Sequence, residues 1–150
     1  RMIILQPSAR VKRDTGINFD VFETLLTNML EFNHKKNLNI SVTIHKSKVR
    51  GTSFCTPVSM KDYRIELDTT KPNKRYIFGS LLHEIRHCIQ NNLFNFWNDD
   101  ILKTWKAYYF SKEEIDARKM ERLTTQFIKY YDSFMKMEEQ FKDLKLSKIS

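Results

Sequence analysis

Apolar residues at Phe19, Phe22, Leu25, Leu26, Met29, Leu30 and Phe32 return at helical spacing between Asn18 and about His34, and Asn18 or Asp20 can cap the start. A first helix is expected there. The period then drops to two: Ile40 to Ile44 alternates apolar and polar residues, Thr52 to Thr56 is a short run after Gly51, and Tyr63 to Leu67 alternates again before Asp68-Thr69-Thr70. These segments predict a small sheet of three strands. Past Pro72 the helical period resumes, with Tyr76, Ile77, Phe78, Leu81, Leu82, Ile85, Cys88 and Ile89 forming one stripe. A second helix should therefore run from near Asn73 to Gln90.

The stretch from Asn91 to Phe110 is aromatic and irregular, with a short helix expected around Ile101 to Ala107. Ser111 then caps a third, long helix whose apolar positions Ile115, Met120, Leu123, Phe127, Ile128 and Phe134 continue past Tyr131. At the ends, residues 1–16 carry Ile3-Ile4-Leu5 and then Arg10, Lys12 and Arg13 without a period, and read as a basic arm. Residues 135–150 form a charged amphipathic tail, with Met137, Phe141 and Leu144 on one face, that frays or meets a partner. No repeat or linker divides the chain, so one domain over residues 1–150 is expected, of the α+β class.

Composition adds little to this picture. With 41% apolar residues, three glycines and three prolines the chain should fold and be rich in helix. Its formal charge of +8 favours acidic or phosphate-bearing partners. The basic residues are scattered from Arg10 to Lys148 rather than gathered into a stripe, so a nucleic-acid partner is weakly supported. Cys55 and Cys88 fit no C-x-x-C pattern and are too few for a disulfide framework, which favours a reducing compartment. No apolar run approaches the roughly 18 residues of a membrane span, and no leader pattern is visible at the N-terminus. A cytoplasmic location without a membrane partner is the expectation.

The chemistry is concentrated in His83-Glu84-Ile85-Arg86-His87. Residues i and i+4 of a helix lie one above the other, so His83 and His87 can grip one metal ion from adjacent turns, on the side away from the Ile85 stripe. Neutral imidazoles suit zinc, an open coordination position holds water, and zinc lowers the pKa of that water towards ~7. Glu84, beside the first ligand, is placed to take the proton. The plainer alternative makes His83 and His87 solvated polar-face residues, with Glu84 paired to Arg86 or a nearby lysine.

A catalytic zinc usually takes three protein ligands, and no histidine follows His87. His34 and His45 lie upstream, which leaves the acids of the third helix: Glu113, Glu114, Asp116 and Glu121 all qualify chemically. Glu114 also has an ordinary use, because Ser111-Lys112-Glu113-Glu114 reads as a capping box.

The segment Glu113-Glu114-Ile115-Asp116-Ala117-Arg118 resembles the second motif of gluzincin-type zinc peptidases, in which a ligand glutamate precedes a small alanine by three residues. That resemblance selects Glu114 as third ligand. Glu114, Ala117 and Glu121 share a helical face, and the small Ala117 allows close approach of the two helices. With Gly51, the strand Arg64 to Asp68 and HEIRH, the whole looks like the small zincin domains of bacteria and phages, nearest the ImmA/IrrE group.

The resemblance spans about Asn18 to Tyr131 and implies a small twisted sheet over an active-site helix and a backing helix. It further implies one catalytic zinc, hydrolysis of peptide bonds, a protein substrate laid along the sheet edge near Thr52 and Phe54, and a host-cell cytoplasmic or virion setting if the chain is of phage origin. Arg118 stands where related gluzincins often carry an Asp that supports a ligand histidine. Asp116 or Glu121 would then supply that support, or Arg118 would meet substrate. Tyr108 or Tyr109 can offer a phenol to the developing oxyanion, or simply pack. A catalytically silent zincin-like module, serving as a binding or virion component, is the rival function.

Overall fold

A computed structural model of the chain describes residues 2–29, 38–94 and 111–149. Four strands form one mixed sheet in the order β1 (Met2–Pro7), β2 (Asn39–Lys46), β4 (Asp62–Leu67), β3 (Phe54–Pro57). The protein is thus α+β, with one strand more than the sequence pattern predicted. The extra strand comes from the segment expected to be an arm. Its register on β2 is parallel, from Met2 opposite Asn39 to Pro7 opposite Ile44, and β2 is parallel to β4 in turn. Three apolar residues were too short a run to declare a strand whose partner lies far along the chain.

Ser8 ends β1 and caps helix α1 (Ala9–Thr15), its hydroxyl accepting the Val11 amide at 3.2 Å, and Gly16 closes the helix at φ 64°. Only glycine takes that left-handed position without strain. Helix α2 (Phe19–Asn28) starts at Asn18, whose side chain accepts from the amides of Asp20 and Val21. Met29, in extended backbone at φ -83° and ψ 128°, ends the helix at Asn28, short of the predicted end near His34. His34 and the short helix expected around Ile101 to Ala107 lie outside the described residues.

Helix α3 (Lys74–Ile89) is capped by Asn73 and runs on into a π-helical turn over Gln90–Phe94. Helix α4 (Lys112–Glu121) and helix α5 (Thr124–Ile149) take the place of the single long helix predicted from Ser111. Nothing in the composition of Arg122-Leu123 announces the break between them. Thr124 is buried there against Gly79 of α3, where an added Cβ would meet the Thr124 hydroxyl at 3.4 Å.

Ile40, Val42, Ile44, Ile65 and Leu67 of the sheet pack on Ile77, Phe78, Leu81, Leu82, Ile85 and Ile89 of α3 in one buried cluster. Phe22, Phe78, Phe127 and Tyr131 join α2, α3 and α5 through tilted and edge-on rings 4.7 to 5.4 Å apart. The Tyr131 hydroxyl also accepts the Asn18 amide at 2.8 Å. Met135 is the last residue of α5 to pack on the core, and Met137, Phe141 and Leu144 beyond it are exposed. Among the described residues no helix is long and apolar enough to cross a membrane.

Candidate metal centre

The apolar stripe of α3 fixes that helix against the sheet, so residues on its opposite side meet whatever covers it. Helix α4 does the covering. Ala117 is fully buried, and the close approach it permits brings Glu114 against the two histidines. As a result the polar side of α3 is not solvated: Glu84, Arg86, His87 and Gln90 are all buried. This excludes the reading of His83 and His87 as ordinary surface residues.

Three donors converge. The Nε2 atoms of His83 and His87 are 3.1 Å apart, and the Glu114 carboxylate lies 3.0 Å from the first through Oε2 and 2.8 Å from the second through Oε1. Tetrahedral zinc with bonds of 2.0 to 2.2 Å separates its ligand atoms by about 3.3 Å, so the three positions need open by only a few tenths of an ångström to take the ion. Two ring nitrogens and a carboxylate, buried at such distances, also require positive charge among them. In the metal-free protein a proton provides it. Burial opposes charge on His83, but Glu114 and Glu121 outweigh burial and hold the imidazolium up to about 10. Burial likewise works against the Glu114 carboxylate, and the two histidines override it to keep the group well below the usual range.

The Ser111 cap is only half of a capping box. Its hydroxyl accepts the Glu114 amide at 3.3 Å, while the Glu114 carboxylate turns to the histidines instead of back to the cap.

Each histidine has a supporting group behind it. Gln90 Oε1 lies 2.7 Å from His87 Nδ1, and Gln90 Nε2 donates to the Glu113 carbonyl at 2.9 Å and to Asp116 Oδ2 at 2.7 Å. Two acceptors around Gln90 Nε2 leave only one way to place the amide, so Oε1 accepts the Nδ1 proton of His87 and the ring turns its Nε2 to Glu114 and His83. Asp116 therefore supports His87 at one remove, and is itself held by the Arg86 guanidinium at 2.7 and 3.4 Å. Arg86 and Gln90 pull the Asp116 carboxyl down against the effect of burial. Behind His83, Glu121 Oε1 comes within 2.6 Å of Nδ1. That contact is off the line of a hydrogen bond, and Nδ1 has no well-directed partner. It acts as a charge contact.

Gln90 was not found from the sequence, because an amide at the end of an apolar helix has no periodic or motif signal. Its role gives a direct prediction. Gln90→Leu should weaken zinc binding by about 10- to 100-fold, the usual cost of losing such a support, in a competition titration with a chromophoric chelator. Unchanged affinity would remove Gln90 from the site.

Glu84 does not join the converging trio, although one of its oxygens comes within 4.8 Å of both histidines. Burial pushes its carboxyl up to about 7, against the pull of His87 and His83. It faces a cleft of about 260 Å³ whose walls include His83, Glu114, Tyr76, Ser80, Ser53 and Arg118. Arg118 and Glu121 both border this space. Tyr108 and Tyr109 lie outside the described residues, whereas Tyr76 brings a phenol to the cleft wall, its hydroxyl donating to Asp68 at 2.9 Å.

The sheet edge beside α3 is β3, antiparallel to β4 from Phe54 opposite Glu66 to Pro57 opposite Tyr63. Phe54 begins that strand, as expected for an edge residue. Thr52 does not belong to it: its amide donates to the Val49 carbonyl at 3.2 Å in a turn that Gly51 makes at φ 81°. No family model, no curated protein and no solved structure matches the chain.

Proposed function

We propose that the protein is a zinc-dependent hydrolase of peptide bonds, of the gluzincin type and nearest the ImmA/IrrE zincins, with His83, His87 and Glu114 as ligands and Glu84 as general base. The observation that carries this reading is the buried convergence of two imidazoles and one carboxylate beside a second carboxylate that is left free and fronts a cleft. A zinc ion in that position supplies a Lewis acid and a water acidified to near neutral pH.

The chain's own residues do the rest. Glu84 accepts a proton from the attacking water and returns it to the leaving amine, a task suited to a carboxyl pushed up to about 7 by burial. Gln90 and Asp116 hold His87 in one tautomer and orientation. Arg118 is the polar donor on the cleft wall for the carbonyl oxygen that gains charge, while the Tyr76 hydroxyl gives its proton to Asp68. An extended substrate pairs with the outer edge of β3 from Phe54 onward. A count of two cysteines, too few for a disulfide framework, supports a cytoplasmic setting.

Titration of the metal-free protein with zinc tests this reading. One equivalent should bind, and binding should release close to one proton at pH 7, seen as buffer-dependent heat in calorimetry. The sign follows from His83, which keeps its proton below about 10 in the metal-free protein and must give it up to the ion. Affinity should therefore rise with pH between 6.5 and 8, by up to tenfold per unit. The loaded protein should cut an unstructured protein such as casein and lose that activity to a chelator. Binding of less than a tenth of an equivalent would refute the proposal.

A further inference from the structure

We infer that Cys55 and Cys88 form an oxidation site, a thiol pair that closes into an intramolecular disulfide. They are the only two cysteines of the chain, and folding brings them together across 33 positions, with Sγ atoms 2.9 Å apart. Non-bonded sulfurs normally rest farther apart, and a disulfide needs the remaining gap to close only to about 2.05 Å. Cys55 sits on the edge strand β3, opposite Ile65 of β4, and retains 6% exposure. Cys88 sits on the last turn of α3, fully buried, next to the ligand residue His87. Ser53, which lines the cleft, lies two residues before Cys55 in the chain.

The oxidant we assign is a peroxide. The Cys55 sulfur, the more accessible, attacks one peroxide oxygen, the O–O bond breaks, and the departing hydroxide takes up the Cys55 proton as water. Cys55 is then a sulfenic acid. The Cys88 sulfur attacks it, the S–S bond forms, the S–O bond breaks, and the released hydroxide takes the Cys88 proton as a second water. Two thiols are oxidised and one peroxide is reduced to two waters. Because the second sulfur is already in contact, closure outruns further oxidation of the sulfenic acid. The bond then ties the edge strand to α3 one residue past His87.

This inference does not rest on zinc binding, so it is tested on metal-free, reduced, full-length protein treated with hydrogen peroxide, then denatured and alkylated. A loss of 2 Da in the intact mass, no alkylation, and one cross-linked peptide containing Cys55 and Cys88 are expected, all reversed by dithiothreitol. The oxidised protein should melt several degrees higher than the reduced one, as a cross-link of this span predicts when it fits the native geometry. The single variants Cys55→Ser and Cys88→Ser should show no loss of 2 Da. Two alkylated thiols at a peroxide dose that oxidises free glutathione would overturn the inference, as would sulfinic acid products, disulfide-linked dimers or an unchanged or lower melting temperature.

Discussion

Exchange of Glu84 for Gln should lower peptide hydrolysis by about 10² to 10⁴ while leaving one equivalent of zinc in place. The two effects separate because Glu114 makes the short contacts to both ring nitrogens, at 3.0 and 2.8 Å, whereas Glu84 groups with the histidines only within 4.8 Å. A base at this position is within reach of the water that the ion would hold, and an amide of the same shape cannot take a proton. Stability argues the same way. Burial raises the Glu84 carboxyl to about 7, so at higher pH the folded protein carries an unfavourable buried anion, with Glu114 adding to it. An acid whose folded pKa is raised contributes stability at low pH that is lost as pH climbs through the folded value. Glu84→Gln removes that cost, and the variant should melt no lower than the parent at pH 8. Hydrolysis and metal content are measured on the same preparation. Undiminished hydrolysis in the variant would show that Glu84 is not the base, whereas an unaltered biological activity in a variant that no longer cuts would favour a zincin-like module that acts by binding.

The parts of this site that were legible in the sequence are those set by local geometry. His83, Glu84 and His87 lie within two turns of one helix, so their spacing alone places them, and the Ile85 stripe orients them. Glu114 was legible through its local segment, with Ala117 one turn on marking the helix contact. The strand β1 and the Gln90 amide were hidden for one shared reason. Each is defined by a partner distant in sequence: β1 by its pairing with β2, and Gln90 by Glu113 and Asp116 on another helix. Single-chain periodicity carries no information about such partners. The division of α4 from α5 is similar, since it follows from how Thr124 packs on α3 rather than from a glycine or proline.

The same distinction explains why the polar side of α3 was harder to read than its apolar side. A stripe of Leu, Ile and Phe announces burial whatever covers it, but a run of His, Glu, Arg and Gln reads as solvated until the covering element is known. Here α4 buries that face, and every polar group on it needs a partner. Arg86 takes Asp116, Gln90 takes His87 and Asp116, and Glu114 takes both histidines. The network joining α3 to α4 is therefore also what holds His83, His87 and Glu114 in their converging arrangement.

Glu114→Ala should be the most damaging single change to metal binding outside the two histidines. Losing a supporting group typically costs 10- to 100-fold in affinity, and Glu114 touches both ring nitrogens directly, so a loss of at least about a hundredfold is expected. The consequences extend to the metal-free protein. Burial lowers the His83 pKa and Glu114 leads the groups that raise it, so without Glu114 the value falls, with Glu121 and Glu84 left to oppose burial. Zinc binding by the variant should then release less than one proton at pH 7, even though the remaining affinity is lower. A nuclear magnetic resonance titration of the His83 ring reads the first effect and calorimetry reads the second. Zinc affinity within a few fold of the parent, with the His83 titration unmoved, would take Glu114 out of the site and reopen the choice of third ligand.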